Sequence, residues 1–151
     1  MSDRRAAAEN VERRDLAATM APLWRSLLAM ERSVAANHAL TMWAYATMHQ
    51  LAGEPVRSQS VLAAGLGLDK TRVIPVLDDL QERRLIRRQP DPADRRVRLL
   101  SLTPKGRELF ARVQREIHQH EDRLLDQLDA AERAAFISAL RTLSRAAHRP
   151  S

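Results

Sequence analysis

The sequence predicts a mainly α-helical fold with one small β-hairpin, on three observations. The 151 residues are 44% apolar and 29% charged yet hold only five aromatics and four glycines, a poor supply for a sandwich or barrel, whose strands need β-branched and aromatic side chains. Apolar residues recur at helical spacing toward both ends of the chain. Between Leu85 and Leu102 that period lapses into two short runs around a proline-containing tip.

In order, Leu16, Met20, Leu23, Leu27 and Val34, with Trp24 and Leu28 beside them, predict a long amphipathic helix over about Val11 to Ala36, preceded by about eight frayed residues. Thr41 is placed to cap a second helix with Met42, Tyr45, Met48 and Leu51 inward, ending at Gly53-Glu54-Pro55. Ser58 is placed to cap a short helix carrying Val61, Leu62 and Leu66. Gly65-Leu66-Gly67-Leu68-Asp69 then reads as a tight turn with Asp69 as cap of the next helix. Two short helices so joined make a helix-turn-helix. The second runs from Lys70 to about Arg83, with Val73, Val76, Leu77 and Leu80 inward and Lys70, Thr71, Ile74, Pro75 and Asp78 outward.

Leu85–Gln89 and Val97–Leu102 read as strands around the turn-rich Pro90–Arg96 tip. Thr103-Pro104 opens a helix carrying Leu109, Phe110, Val113, Ile117, Leu124 and Leu128. Asp129 and Glu132 have the spacing of a capping box for a last helix with Phe136, Ile137, Leu140 and Leu143. The terminal apolar stripes exceed what one small domain can cover, which predicts a partner for them; the alternative is a monomeric bundle that buries them internally.

The absence of cysteine removes disulfide scaffolds, thiolate zinc sites, iron–sulfur clusters and thiol redox chemistry. The first residues lack the apolar stretch of a signal peptide, and no run of about eighteen apolar residues occurs, so a cytoplasmic protein without a membrane span is expected. Formal charge is +6, and its placement is uneven. Arg57–Arg107 holds twelve basic and six acidic residues, whereas the rest holds thirteen of each. The excess therefore sits on the helix-turn-helix and hairpin, as expected for a segment that meets phosphate; the alternative is a solvated charged face.

This order of elements resembles the MarR family of bacterial transcription regulators over nearly the whole chain. The resemblance rests on Asp91-Pro92-Ala93-Asp94-Arg95-Arg96-Val97 followed by Leu102-Thr103-Pro104-Lys105-Gly106, similar to the family's wing and its exit. It rests also on Ser58 to Leu85, with Leu62-Ala63, Gly67-Leu68-Asp69-Lys70-Thr71 and Leu80 where the family's helix-turn-helix has them. It implies a winged helix-turn-helix over residues 39–103 and a helical dimerisation region from 1–38 and 104–151. It further implies a homodimer that binds double-stranded DNA at a pseudo-palindromic operator, acts as a repressor, and is released by a small aromatic or phenolic effector. Two positions depart from the family: Arg84 stands where a glycine usually ends the recognition helix, and Pro75 lies inside that helix, where it removes one backbone hydrogen bond and should bend the axis.

The resemblance places Lys70, Thr71, Arg72, Ile74 and Pro75 in the major groove, where Lys70 or Arg72 would donate to guanine and Ile74 or Pro75 would touch a thymine methyl; contact with phosphate alone is the alternative. Ser58 and Gln59 start a helix whose free amides suit a phosphate, although Ser58 also serves simply as a cap. Arg96 is expected in the minor groove with Arg95 nearer the backbone, and Asp94 is expected to hold a tip arginine by a charged hydrogen bond. Trp24, His38, Trp43 and Tyr45 are the candidate ligand-binding residues, each with core packing as its alternative.

No cofactor is expected. A metal-responsive regulator is a second reading, although His118 and His120 diverge on a helix and His38 and His49 meet only if the fold joins them. A nonspecific nucleoid-type DNA binder is a third. For an enzyme the sequence offers no phosphate-cradling loop or nucleophile motif, and adjacent Asp78-Asp79 diverge.

Overall fold

Five of the six helices described start on a side-chain cap, and these caps set the element boundaries. The structure, a computed structural model, describes residues 15–147. Helix α1 spans Leu16–Asn37, α2 Met42–Gly53, α3 Gln59–Leu66 and α4 Lys70–Glu82; strands β1 (Ile86–Pro90) and β2 (Arg98–Leu102) follow, then α5 (Pro104–Leu125) and α6 (Ala130–Ala147). Thr41 accepts from the Ala44 amide, Ser58 from Val61, Asp69 from Arg72 and Thr103 from Gly106, at 3.0 to 3.1 Å. The reciprocal box before α6 is present: Asp129 accepts from the Glu132 amide at 2.8 Å and its own amide donates to Glu132 at 3.0 Å. Each cap satisfies an amide that the first turn leaves open.

The core lies where α2 crosses α4, β2 and α5. Met48, Leu51, Leu62, Val73, Leu77, Leu80, Leu85, Ile86, Leu100, Leu102 and Val113 are buried there. The hairpin is antiparallel, with Ile86 opposite Leu102 and Pro90 opposite Arg98, and Val56 adds a bridge to Leu100. At the seam between hairpin and α5 the chain passes tightly. A Cβ on Gly106 would lie 2.0 Å from the Leu85 carbonyl oxygen, so only glycine lets α5 start against the chain entering β1. Lys105 donates to the Arg83 carbonyl at 2.9 Å and the Thr103 hydroxyl to that of Arg84 at 2.7 Å.

Several expectations shift. Helix α1 is described from Leu16; Val11–Arg14 and the expected frayed residues lie outside the described residues. Of the apolar residues carried by the short α3, Val61 is 58% exposed, because Leu62 and Ala63 take the buried side. Arg84 itself adopts the left-handed conformation, φ 57°, so the chain turns as a glycine would allow despite the side chain. Pro75 sits on the exposed side of α4, and the helix continues through it to Glu82. Proline removes the amide that would bond the Thr71 carbonyl, and both residues lie on the exposed side of the helix.

The terminal helices present uncovered apolar surface. Leu16, Met20 and Trp24 on α1 and Phe136, Leu140 and Leu143 on α6 are exposed, and α6 has no buried residue. Among the described residues no helix is long and apolar enough to cross a membrane.

Candidate nucleic-acid interface and cleft

The exposed side of α4 is built from its cap. Gly67 takes φ 66° and ends α3, which frees the chain to turn, and Asp69 then opens α4. Asp69 accepts from both the Thr71 hydroxyl and the Arg72 amide, and the Arg72 guanidinium lies 3.9 Å from its other oxygen. These bonds hold the Asp69 carboxyl below the usual carboxylate range, the Thr71 hydroxyl contributing most. Lys70, Thr71, Arg72, Ile74 and Pro75 are all exposed, Ile74 by 41%, while Val73 and Leu77 anchor the opposite side. A helix so presented offers a cation pair and a small apolar patch side by side. Ser58 and Gln59 at the start of α3 are half-buried.

The hairpin stands beside this helix. Arg88 on β1 reaches Asp78 on α4 at 3.5 Å, which ties wing to helix. At the tip Arg95 and Arg96 are fully on the surface. Asp94 holds the tip differently from expectation: its carboxylate accepts from the Arg96 amide at 3.0 Å and its carbonyl from the Val97 amide at 2.9 Å, and among the described residues it forms no ion pair with an arginine. The turn folds its carboxylate onto the backbone, leaving the tip guanidinium groups free.

The carboxylate paired with an arginine is Asp91, which the sequence reading did not single out. It is buried, accepts from the Ala93 amide at 2.8 Å and lies 3.6 Å from the Arg57 guanidinium. Its position between two prolines was the available signal, since a carboxylate in so constrained a turn tends to bond the amide two residues on.

A cleft of about 400 Å³ opens between α2 and α5 beside the end of α3. Of the four proposed ligand contacts, Trp43 and Tyr45 line it; Tyr45 is buried and stacks on Phe110 at 5.8 Å. The other two do not. Trp24 lies on the uncovered side of α1, 60% exposed, and His38 turns to Glu116, its Nε2 2.8 Å from the carboxylate. That contact, with the His38 charge and Asn37, holds the Glu116 carboxyl below its ordinary range. Glu31, His49, His118 and Glu121 also line the cleft and were not foreseen, because they come from three helices whose packing no local spacing reveals. Burial, then Glu121, pushes the Glu31 carboxyl up; burial, Glu31 and Glu121 push the Tyr45 hydroxyl up to about 12. Among the described residues no group of three or more His, Asp or Glu is placed to hold a metal ion.

Comparison with known proteins agrees with this architecture. The MarR family model matches residues 40–97, the segment from α2 to the wing tip. A putative transcriptional regulatory protein for the hcr operon of Thauera aromatica is 31% identical over 114 residues, covering 76% of this chain and 69% of that protein. The transcriptional repressor CouR bound to a 23-mer DNA duplex superposes with a TM-score of 0.70 at 30% identity, over 86% of this chain and 92% of that one. CouR from Rhodococcus jostii RHA1 bound to p-coumaroyl-CoA superposes at 0.76 with 21% identity, over 91% and 94%, which speaks for the fold alone. Regulators of this family act by binding DNA. The chain belongs to the MarR family of winged-helix, DNA-binding transcriptional regulators.

Proposed function

We propose that the chain is a repressor that binds a pseudo-palindromic operator as a homodimer and leaves it when a small aromatic molecule enters the α2–α5 cleft. The observation that carries this reading is the exposed side of α4 together with a wing that the Arg88–Asp78 contact ties to that helix. Lys70, Thr71, Arg72, Ile74 and Pro75 on one, and Arg95 and Arg96 on the other, are exposed together on the segment that holds the chain's excess charge.

In this reading residues 39–103 form the DNA-binding lobe, with α4 in the major groove. Lys70 or Arg72 donates to a guanine edge and Ile74 with Pro75 meets a thymine methyl. The start of α3, at Ser58 and Gln59, approaches a phosphate with its open amides. Arg96 enters the minor groove, Arg95 sits nearer the backbone, and Asp94 stiffens the tip through the amide of Arg96. Residues 1–38 and 104–151 form the dimerisation region. The uncovered apolar faces of α1 and α6 support it, Trp24 belonging to that face rather than to the cleft. The two recognition helices then lie about one helical turn, roughly 10 bp, apart.

Light scattering on the free protein, combined with a mobility-shift titration on selected genomic fragments, tests the reading. Two chains per particle and retention against excess competitor DNA are expected. A single chain, or binding indifferent to sequence, contradicts it, the latter favouring a nucleoid-type binder.

A further inference from the structure

The α2–α5 cleft has a chemistry that narrows the small aromatic or phenolic effector implied by the family resemblance. We propose that its ligand is a cationic aromatic molecule, an amine or ammonium carried by one or two flat rings. The regulatory half of this inference, that the ligand alters DNA binding, rests on the repressor reading above; the binding half does not.

Charge is the first argument. Glu31 and Glu121 both line the cleft, and none of its lining residues is Arg or Lys, in a chain with 25 of them. The two carboxylates are close enough for Glu121 to disfavour ionisation of Glu31. A bound carboxylate would add a third negative group at the same place, whereas an ammonium would relieve the repulsion already there. His49 and His118 are the other titratable side chains facing the space, with Tyr45.

The second argument is the unused polar atom at its wall. Tyr45 is only 6% exposed, yet among the described residues its hydroxyl has no hydrogen-bond partner. The ring is buried but the hydroxyl itself opens on the cleft, unlike Thr47 Oγ1, which is enclosed without a partner, so a ligand or water entering the cleft can bond it. Its oxygen is placed to accept from an ammonium group. Trp43, 47% exposed, adds an aromatic surface of the kind that attracts cations. A volume of about 400 Å³ suits a molecule of one or two rings.

Position supplies the link to DNA binding. Gly65 and Leu66 at the end of α3 form one edge of the cleft, and the Gln50 side chain packs against Gly65 so closely that a Cβ there would lie 2.5 Å from it. The next residue, Gly67, is the turn into α4. A ligand that moves Gln50 therefore displaces the segment that orients the recognition helix, and it shifts DNA affinity only through unequal binding to the two arrangements.

Tyramine and 4-hydroxyphenylacetate carry the same phenol on short chains of opposite charge, and they separate the alternatives. Titration calorimetry and melting curves of the full chain should show tyramine binding at least about tenfold more tightly than 4-hydroxyphenylacetate. Glu121→Gln, which melts cooperatively if folded, should erase that preference. Glu31→Gln provides the same test should Glu121→Gln fail to fold. Equal or tighter binding of the carboxylate, no binding of either at millimolar concentration, or a preference untouched in the folded variant overturns the proposal. Mobility shifts without ligand keep the two readings apart: loss of DNA binding there counts against the repressor assignment, while the calorimetric comparison still decides the ligand.

Discussion

The Arg88 guanidinium on β1 lies 3.5 Å from the Asp78 carboxylate on the outward side of α4. An exposed pair of this kind adds at most about 1 kcal/mol to stability. Its larger effect is on the surface proposed to face DNA, where it occupies one arginine and sets the hairpin beside α4. Asp78→Ala should free Arg88 for phosphate and remove a repelling charge. In fluorescence-anisotropy titrations the slope of log K against log salt should steepen by about 0.9, one phosphate's share. An unchanged slope would mean that Arg88 never meets the backbone.

In the proposed complex the tip arginine makes the minor-groove contact. With Asp94 engaged by the amide of Arg96 rather than by a guanidinium, Arg96→Ala removes a free cation without unmaking the turn. Specific affinity should fall by about 1–3 kcal/mol, with the folded content unaltered by circular dichroism. Wild-type affinity for the variant would exclude the minor-groove role.

Arg84 spends the native state in a conformation that suits glycine, φ 57°. Its amide and carbonyl bond to Gln81 and Thr103, contacts that glycine would keep. Arg84→Gly should therefore stabilise the protein by about 0.5–1 kcal/mol, relief of the left-handed strain outweighing the added unfolded-state entropy. For a chain of this size the melting temperature should rise by about 1–4 °C. A fall would show that the arginine side chain makes an interaction of greater worth.

Glu31 gives the account a pH signature. Its folded pKa is raised, by burial first and by Glu121 second, so its ionised form is disfavoured by folding. The destabilisation is fully present above the folded pKa and disappears as pH falls through the ordinary carboxylate range. Glu31→Gln should then be the more stable at neutral pH, by less than about 1 kcal/mol once solvent screening is allowed for, with the difference closing below that range. Denaturant melts at pH 7.5 and near pH 4 measure it. A variant less stable at neutral pH would assign Glu31 a favourable partner.

What could be read from sequence was local. Thr41, Ser58, Asp69, Thr103 and Asp129 each cap a helix through the amide three residues on, so a short window contains the whole interaction. The hairpin likewise followed from the lapse of helical period between Leu85 and Leu102. The cleft was half visible: Trp43 and Tyr45 sit on α2, but Glu31 and Glu121 come from α1 and α5, and only tertiary packing brings them there. His38 was misplaced for the same reason, its partner Glu116 being 78 residues away. At the wing, Asp91 and Asp94 both fit a support role by composition. Which one is buried against Arg57 depends on the Val56–Leu100 bridge, a contact across 44 residues that the hairpin pattern does not encode.

The proposed complex requires two copies of α4 and its wing held at a fixed separation against DNA. Selection of tight-binding duplexes from a random pool, followed by sequencing, tests it most directly. The expected product is an inverted repeat whose half-sites are centred about 10 bp apart, with thymine where Ile74 and Pro75 would approach and an A·T-rich flank under Arg96. A single ungapped half-site, or a pool that gains no motif, would contradict it.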